Sequence, residues 1–428
     1  MSLISSLYAG ETGLNTTSTD LATIGDNISN ANTIGFKEGR AAFEDLLGES
    51  LGSGQGQVGM GSRLESIQRI LSQGAITNTG NATDMALSGN GFFVVKGTAG
   101  GASQEFLTRA GQFTLDRNGL LVNLQGLHVQ GFPADLNGTV SSSLGDLQVG
   151  NATSLPKATT NVALKANLQS DAPIAAPWDP LNPTGTSSFS TSATVYDSLG
   201  KQHQVQVYFR HTAAGAWDYH AMTDGSGVAG GTAGTPSEIA TGALAFDAAG
   251  KLTSQTQTGS FTPAGSTTVQ PLVFNFGDPT SVAGNTGVAG ITQFAAASEV
   301  SFSSQDGFSA GSLANVAVDA TGTVTGSFTN GQTRVLGEVA VATVPAGDQL
   351  QRVGGNLYGF SAGSGQMTAG VAGQGGRGTI VAGALEQSNV DLAGEFVRMI
   401  AAQRGFQANS KTVQASDQLL QELMQLKR

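Results

Sequence analysis

Cysteine is missing altogether from these 428 residues. That excludes disulfides, thiolate metal sites and thiol nucleophiles, and it leaves a chain that tolerates an oxidising space without redox chemistry. Charge is scarce as well: Asp, Glu, Lys and Arg make up 12%, with a balance of −11. An acidic chain is a poor partner for nucleic acid or for an anionic membrane surface. No apolar run is long enough to span a bilayer. The first basic residue is Lys37, so the start Met1-Ser2-Leu3-Ile4-Ser5-Ser6-Leu7 lacks the n-region of a cleavable secretory signal. Catalytic signatures are wanting too. There is no G-x-S-x-G elbow, P-loop or H-E-x-x-H, and His128, His203, His211 and His220 lack ligand spacing on a common helix. We therefore expect no enzyme, no metal site and no cofactor.

The two ends, by contrast, are strongly patterned. From Asp391 onward there is no proline, and the only glycines are Gly394 and Gly405. Asn389 or Asp391 can cap a helix there, because its side-chain oxygen accepts from an unpaired first-turn amide. Phe396, Val397 and Ile400 share a face, which Val413, Leu419, Leu420, Leu423, Met424 and Leu426 restore after a polar middle. Lys427 and Arg428 stand at the negative end of its dipole. At the other terminus, Leu3, Leu7, Gly10, Leu14, Thr17, Leu21, Ile24, Ile28 and Ala31 follow alternating gaps of four and three. Such a stripe usually packs on the core of its own domain. Here two stripes stand at opposite ends of the chain, and a lone terminal helix is marginal in water. We expect the two to pair as a coiled coil, loose in the free subunit and ordered by packing on each other and on neighbouring copies.

The chain carries 61 glycines, most of them between the ends, where short runs of period two also lie. Gly91-Phe92-Phe93-Val94-Val95 reads as a buried strand after an Asn90-Gly91 turn. A unit of Asp, two residues and Gly recurs at Asp116, Asp197, Asp247 and Asp319. A calcium loop needs more oxygen ligands than that, whereas a hairpin needs only Asp bonding its own turn and Gly at positive φ. Gly54-x-Gly56-x-x-Gly59 and Gly373-x-Gly375-x-x-Gly378 have dinucleotide-fingerprint spacing without the strand, helix and acidic residue that the chemistry requires. Gly54, Gly56, Gly59, Gly373 and Gly375 read as hinges. The expected class is α+β: a helical domain at 1–35 and 388–428, flexible connectors at 36–76 and 361–387, and two nested barrel- or sandwich-like β domains. The inner one covers 77–157 and 298–360, and the outer one 158–297. An inserted domain leaves the termini undisturbed because its own ends lie close together.

Asn27-Ile28-Ser29-Asn30-Ala31-Asn32-Thr33-Ile34-Gly35-Phe36-Lys37 resembles the N-terminal signature of bacterial flagellar rod and hook proteins, with Asp26 where Asn is more usual. Ser388-Asn389-Val390-Asp391-Leu392, followed by Phe396 to Arg404, resembles their C-terminal signature; Asn90-Gly91-Phe92-Phe93 and Gly354-Gly355-Asn356-Leu357-Tyr358 also fit. Among the branches of this family, the size and the outer block (Val195 to Gly200, Val207-Tyr208-Phe209) are nearest to the hook branch. A distal-rod or hook-filament junction subunit is the alternative. The resemblance implies a structural subunit that self-assembles into a curved hollow tube, a universal joint passing motor torque to the filament. It implies as partners the chain itself, the distal rod, the hook cap, the junction proteins and the flagellar type III export apparatus. It implies a place outside the cell, in the hook, reached without a cleaved signal. Some members join their subunits through lysine–cysteine-derived crosslinks, which a chain without cysteine cannot form.

Overall fold

The computed structural model describes residues 3–47, 59–99 and 101–426. Two long helices flank many short strands: α1, Leu3–Ser29, and α2, Leu392–Leu426. None of the described helices is long and apolar enough to cross a membrane. The chain divides into two compact units. One is continuous apart from a short return (Thr153–Ser312 with Phe328–Gln332), and it is inserted into the other, which comprises Met1–Ala152, Leu313–Ser327 and Thr333–Arg428.

The inserted unit is built on a five-stranded antiparallel meander, Phe189–Tyr196, Gln202–Ala213, Ala216–Asp224, Pro236–Phe246 and Leu252–Gln255, paired in chain order. Period-two alternation points Val205, Val207 and Phe209 inward from the second strand. They meet Trp217, Tyr219, Phe274 and Phe276, with Val162 and Leu164 from the strand Asn161–Asn167. The Asp turns follow local chemistry. Asp197 Oδ1 accepts from the amides of Leu199 and Lys201 at 2.9 Å, and Asp247 Oδ1 accepts in the same way from Ala249 and Lys251. His203 is buried with its Nε2 3.0 Å from Asp197 Oδ2, His211 Nδ1 bonds the Ala172 carbonyl at 2.7 Å, and His220 stacks on Trp178.

The other unit places Phe92–Ala99 as a strand in antiparallel register with Ala102–Thr108, with Phe93, Val94, Val95, Phe106 and Leu107 wholly buried. Where glycine density suggests flexible connectors, the backbone is paired. Strands β1 (Gly39–Leu47) and β2 (Gly59–Arg69) form an antiparallel hairpin against α1. Strand β3 (Ile76–Asn78) pairs with Ala384–Glu386, and β4 (Met85–Ser88) pairs with Thr379–Ala382. Ladder hydrogen bonds need only extended backbone, so a glycine-rich neighbourhood does not prevent them. Gly54 and Gly56 lie outside the described residues. Gly59 opens β2. Gly373 and Gly375 occupy a turn with left-handed φ, closed by Gly373 N donating to Gly378 O at 2.9 Å.

Candidate assembly site

The two terminal helices pack antiparallel, and their shared line is made of small and polar residues. Ser6 Oγ lies 3.3 Å from Ser416 Oγ. A Cβ added at Gly10 would stand 2.8 Å from Val413 Cγ2, and one at Gly13 would stand 2.6 Å from Asn409 Nδ2. Thr17 meets Gly405, and Asn27 Nδ2 donates to Glu395 Oε2 at 3.3 Å. The gaps of four and three are present, but in a register that runs through positions 6, 10, 13, 17 and 27. The expected stripe shares Gly10 and Thr17 with that line. Ile24 is buried, whereas Leu7, Leu14, Leu21 and Ile28 beside it are half-buried. A second face of α1 receives the hairpin: Thr16 Oγ1 lies 3.3 Å from Ser62 Oγ, and the side chain of Thr12 fills the space a Cβ on Gly61 would need. The side chain of Leu3 lies outside the described residues.

On α2 the buried line is Glu395, Ala402 and Ser416, with Val413 and Leu420 half-covered. Of the expected apolar residues, Val413 lies in the seam, whereas Phe396, Val397, Ile400, Leu419 and Met424 point away from it. Phe396, Val397 and Ile400 are 51%, 68% and 52% exposed, and Leu392, Phe406, Leu419 and Met424 are exposed as well. The side chain of Leu423 lies outside the described residues, as do Lys427 and Arg428. Close approach explains this choice of seam, because glycine, alanine and serine let the helix axes come near each other from Ser6 opposite Ser416 to Asn27 opposite Glu395, and large side chains are left on the outside. Charge is divided in the same way: α1 carries only Glu11, Asp20 and Asp26, and α2 carries only Arg398, Arg404 and Lys411 between Glu395 and Asp417.

Below the helix pair, the two terminal signatures form a polar knot. Asn27 is buried and exchanges hydrogen bonds with Gly39, its Nδ2 donating to Gly39 O at 2.8 Å and its Oδ1 accepting from Gly39 N at 2.9 Å. Asn30 Nδ2 donates to Asp26 O at 2.9 Å, and Thr33 Oγ1 donates to Asn30 Oδ1. Gly35 has φ +69°, and a Cβ there would lie 2.5 Å from Ala110 N, so only glycine fits. Phe36 is buried beneath the Arg352 guanidinium. From the other signature, Ser388 Oγ accepts from Val390 N, and Asp391 Oδ1 caps α2 by accepting from Ala393 N at 3.1 Å. Asn389 does not cap. Its Oδ1 accepts from Glu38 N at 2.8 Å and its Nδ2 donates to Ile70 O at 2.8 Å, which staples the start of α2 to the hairpin.

At the centre lies a buried ion cluster. Lys37 Nζ donates to Glu386 Oε1 at 2.6 Å and to Ser72 O at 2.7 Å. Arg109 reaches Glu386 Oε2 at 3.1 Å and Gly89 O at 2.7 Å, and Gly74 N donates to Glu386 Oε1 at 3.0 Å. Lys37 and Glu386 are fully covered and Arg109 nearly so. Burial pushes the Lys37 ammonium below its ordinary range, the bond to Glu386 opposing that shift. Sequence reasoning placed Lys37 and Arg398 in the two terminal motifs but gave no role to Glu386, Arg109 or Glu395. One signal was present: in a chain this poor in charge, a Glu that ends the run Thr379-Ile380-Val381-Ala382-Gly383-Ala384-Leu385 needs a buried partner. Among the described residues no group of three or more His, Asp and Glu is placed to hold a metal ion.

The chain matches four family descriptions: flagella basal body rod protein over residues 7–37, flagellar hook protein FlgE/F/G D1 domain over 86–167, flagellar basal body protein FlaE D2 domain over 164–308, and flagellar basal body rod FlgEFG protein C-terminal over 381–426. It is 34% identical to the flagellar hook protein FlgE of Escherichia coli (strain K12) over 424 residues, covering 97% of this chain and 98% of that one. Identity is also 34% to the flagellar hook protein FlgE of Borreliella burgdorferi, covering 99% and 100%. Among solved structures it is similar to Helicobacter pylori flagellar hook protein FlgE2, with a TM-score of 0.46 and 16% identity over 71% of this chain and 98% of that one.

Proposed function

This chain belongs to the flagellar hook protein family and is a structural subunit of the hook, not an enzyme; we propose that α1 and α2 are the cohesive part of the tube it builds. In this reading the helices line the inside as a coiled-coil layer, and the β units form the cladding. The small-residue seam between α1 and α2 holds each subunit together, and the outward row of α2 holds neighbours together. Acid-only α1 and the basic middle of α2 would set the pairing between copies, a head-to-tail contact that continues into an open helical array. Domain limits near 36, 77, 158, 298, 361 and 388 would divide the inner layer from the cladding. Contacts at the ends of the tube would be with the distal rod, the hook cap and the junction proteins, and the chain would leave through the type III export apparatus without a cleaved signal.

The observation that carries this reading is the placement of Phe396, Val397 and Ile400. Three large apolar side chains are more than half exposed on a helix whose intramolecular seam does not use them. Electron microscopy of polymer grown from purified subunit tests it. Curved tubes are expected from the full chain, and none from chains lacking residues 3–29 or 392–426. Tubes from either truncated chain would refute the proposal, and straight tubes from the full chain would favour a distal-rod subunit.

A further inference from the structure

Lys37, Arg109 and Glu386 put two cations and one anion into the same dry space, and among the described residues Glu386 is the only carboxylate in ion-pair contact with either cation. Arg109 donates from Nη1 to Glu386 Oε2 and from Nη2 to Gly89 O, while its buried Nε has no hydrogen-bond partner, so Glu386 supplies the one countercharge this guanidinium has among the described residues. Removing the partner of a buried charge is far costlier than never having had the pair. Glu386 also sits where the body closes. Its own carbonyl accepts from Gly35 N at 2.8 Å, the strand it ends pairs with β3, and Gln387 N donates to Ala75 O at 2.8 Å. α2 begins six residues later. The inserted unit needs none of this, because its core residues from Val162 to Ile291 all lie within Thr153–Ser312.

We propose that Glu386 is a latch. With its carboxylate in place the helix-bearing unit closes around Lys37 and Arg109 and seats α2 against α1; without it the two cations hold that unit open, while the inserted unit keeps its fold. The helix pair, and so the surface offered to other copies, exists only in subunits whose late segment has docked. This goes beyond the assembly reading and does not depend on it, since it concerns the single subunit.

The two tryptophans make the test direct. Trp178 and Trp217 both lie in the inserted unit, and both helices lie in the other. Full-length monomer is unfolded in urea while tryptophan fluorescence and far-ultraviolet helicity are followed together. Glu386→Gln should raise the open population of the helix-bearing unit on the order of a hundredfold and leave the tryptophan transition where it was. Lys37→Met keeps the Arg109–Glu386 pair and should stay near wild type. Lys37→Met combined with Glu386→Gln should recover part of the loss, because one buried cation fewer is then unpaired. The latch is refuted if both probes shift together in Glu386→Gln, if the helix transition does not move, or if Lys37→Met is as damaging and gives no recovery.

Discussion

Truncating Phe396 and Ile400 together to alanine separates cohesion within a subunit from cohesion between subunits. Both side chains are about half exposed in the single copy, at 51% and 52%. Full burial of such a side chain is worth about 1.5–3 kcal/mol, so covering the exposed halves is worth about 1.5–3 kcal/mol for the pair. At about 1.4 kcal/mol per tenfold, the critical concentration for polymerisation should rise about 10- to 150-fold. The monomer should hardly respond. Loss of the one-turn contact between the two residues costs about 0.2–0.5 kcal/mol, and the better helix propensity of alanine returns a similar amount. Pelleting of polymer over a concentration series gives the first quantity, and thermal melting by far-ultraviolet circular dichroism gives the second. Ile24→Ala is the contrasting control. Ile24 is 3% exposed, so its loss should cost the monomer about 2–5 kcal/mol. An unchanged critical concentration in the Phe396→Ala and Ile400→Ala chain, or a monomer as damaged as Ile24→Ala, would sink the division between inner seam and outer row.

Gly10→Ala should destabilise the helix pair by about 1–3 kcal/mol, because the new Cβ meets the stiff, β-branched side chain of Val413; hydrogen exchange along α1 reads this. The usual gain of about 1 kcal/mol for alanine over glycine in a helix makes an observed loss diagnostic, and a net gain would show that the axes are not in close contact. Asp306 gives a pH signature. Burial alone would raise its carboxyl, but the Thr160 hydroxyl, the amides of Asn161 and Thr160 and the Lys157 ammonium outweigh that and hold it well below the carboxylate range. A depressed carboxyl contributes stability above its unfolded pKa of about 3.9 and loses it as pH falls through the folded value. Asp306→Asn should therefore lower the tryptophan-detected stability at pH 7 and differ progressively less from wild type below about pH 4; a constant difference down to pH 2 would contradict it. Replacing residues 158–297 by a short linker should leave tubes that form but bend differently, as electron microscopy would show, and complete loss of polymer would contradict the cladding role.

What could be read from residues alone was what is local. The Asp turns depend on one carboxylate and the next four residues, and they form as their composition demands at Asp197, Asp247 and Asp319. The helix at the C-terminal end begins where Asp391 can cap it. Which apolar stripe would be covered could not be read in the same way, because the two helices select their seam by how closely they can approach. Gly10, Gly13, Ala402 and Gly405 win that contest although they contribute little apolar surface, and Phe396 and Val397 are displaced to the outside. The ion cluster was out of reach for a related reason. Lys37 and Glu386 are separated by 349 positions, and no periodicity connects them; only the pairing of β3 and β4 with the strands before α2 brings them together.

These two non-local features answer to the same demand. A helix pair that buried its large side chains internally would be a stable domain with nothing left to offer a neighbour, and a pair without an internal seam would have no fixed surface to offer. Small residues inside and large ones outside satisfy both conditions at a modest cost to the single subunit. The polar knot of Asn27, Asn389, Glu38 and Arg398 then fixes the direction in which that surface faces relative to the hairpin. On the proposed assembly, binding energy is held back from folding for contacts between copies, and its amount is set by how much of Phe396, Val397 and Ile400 the seam leaves uncovered.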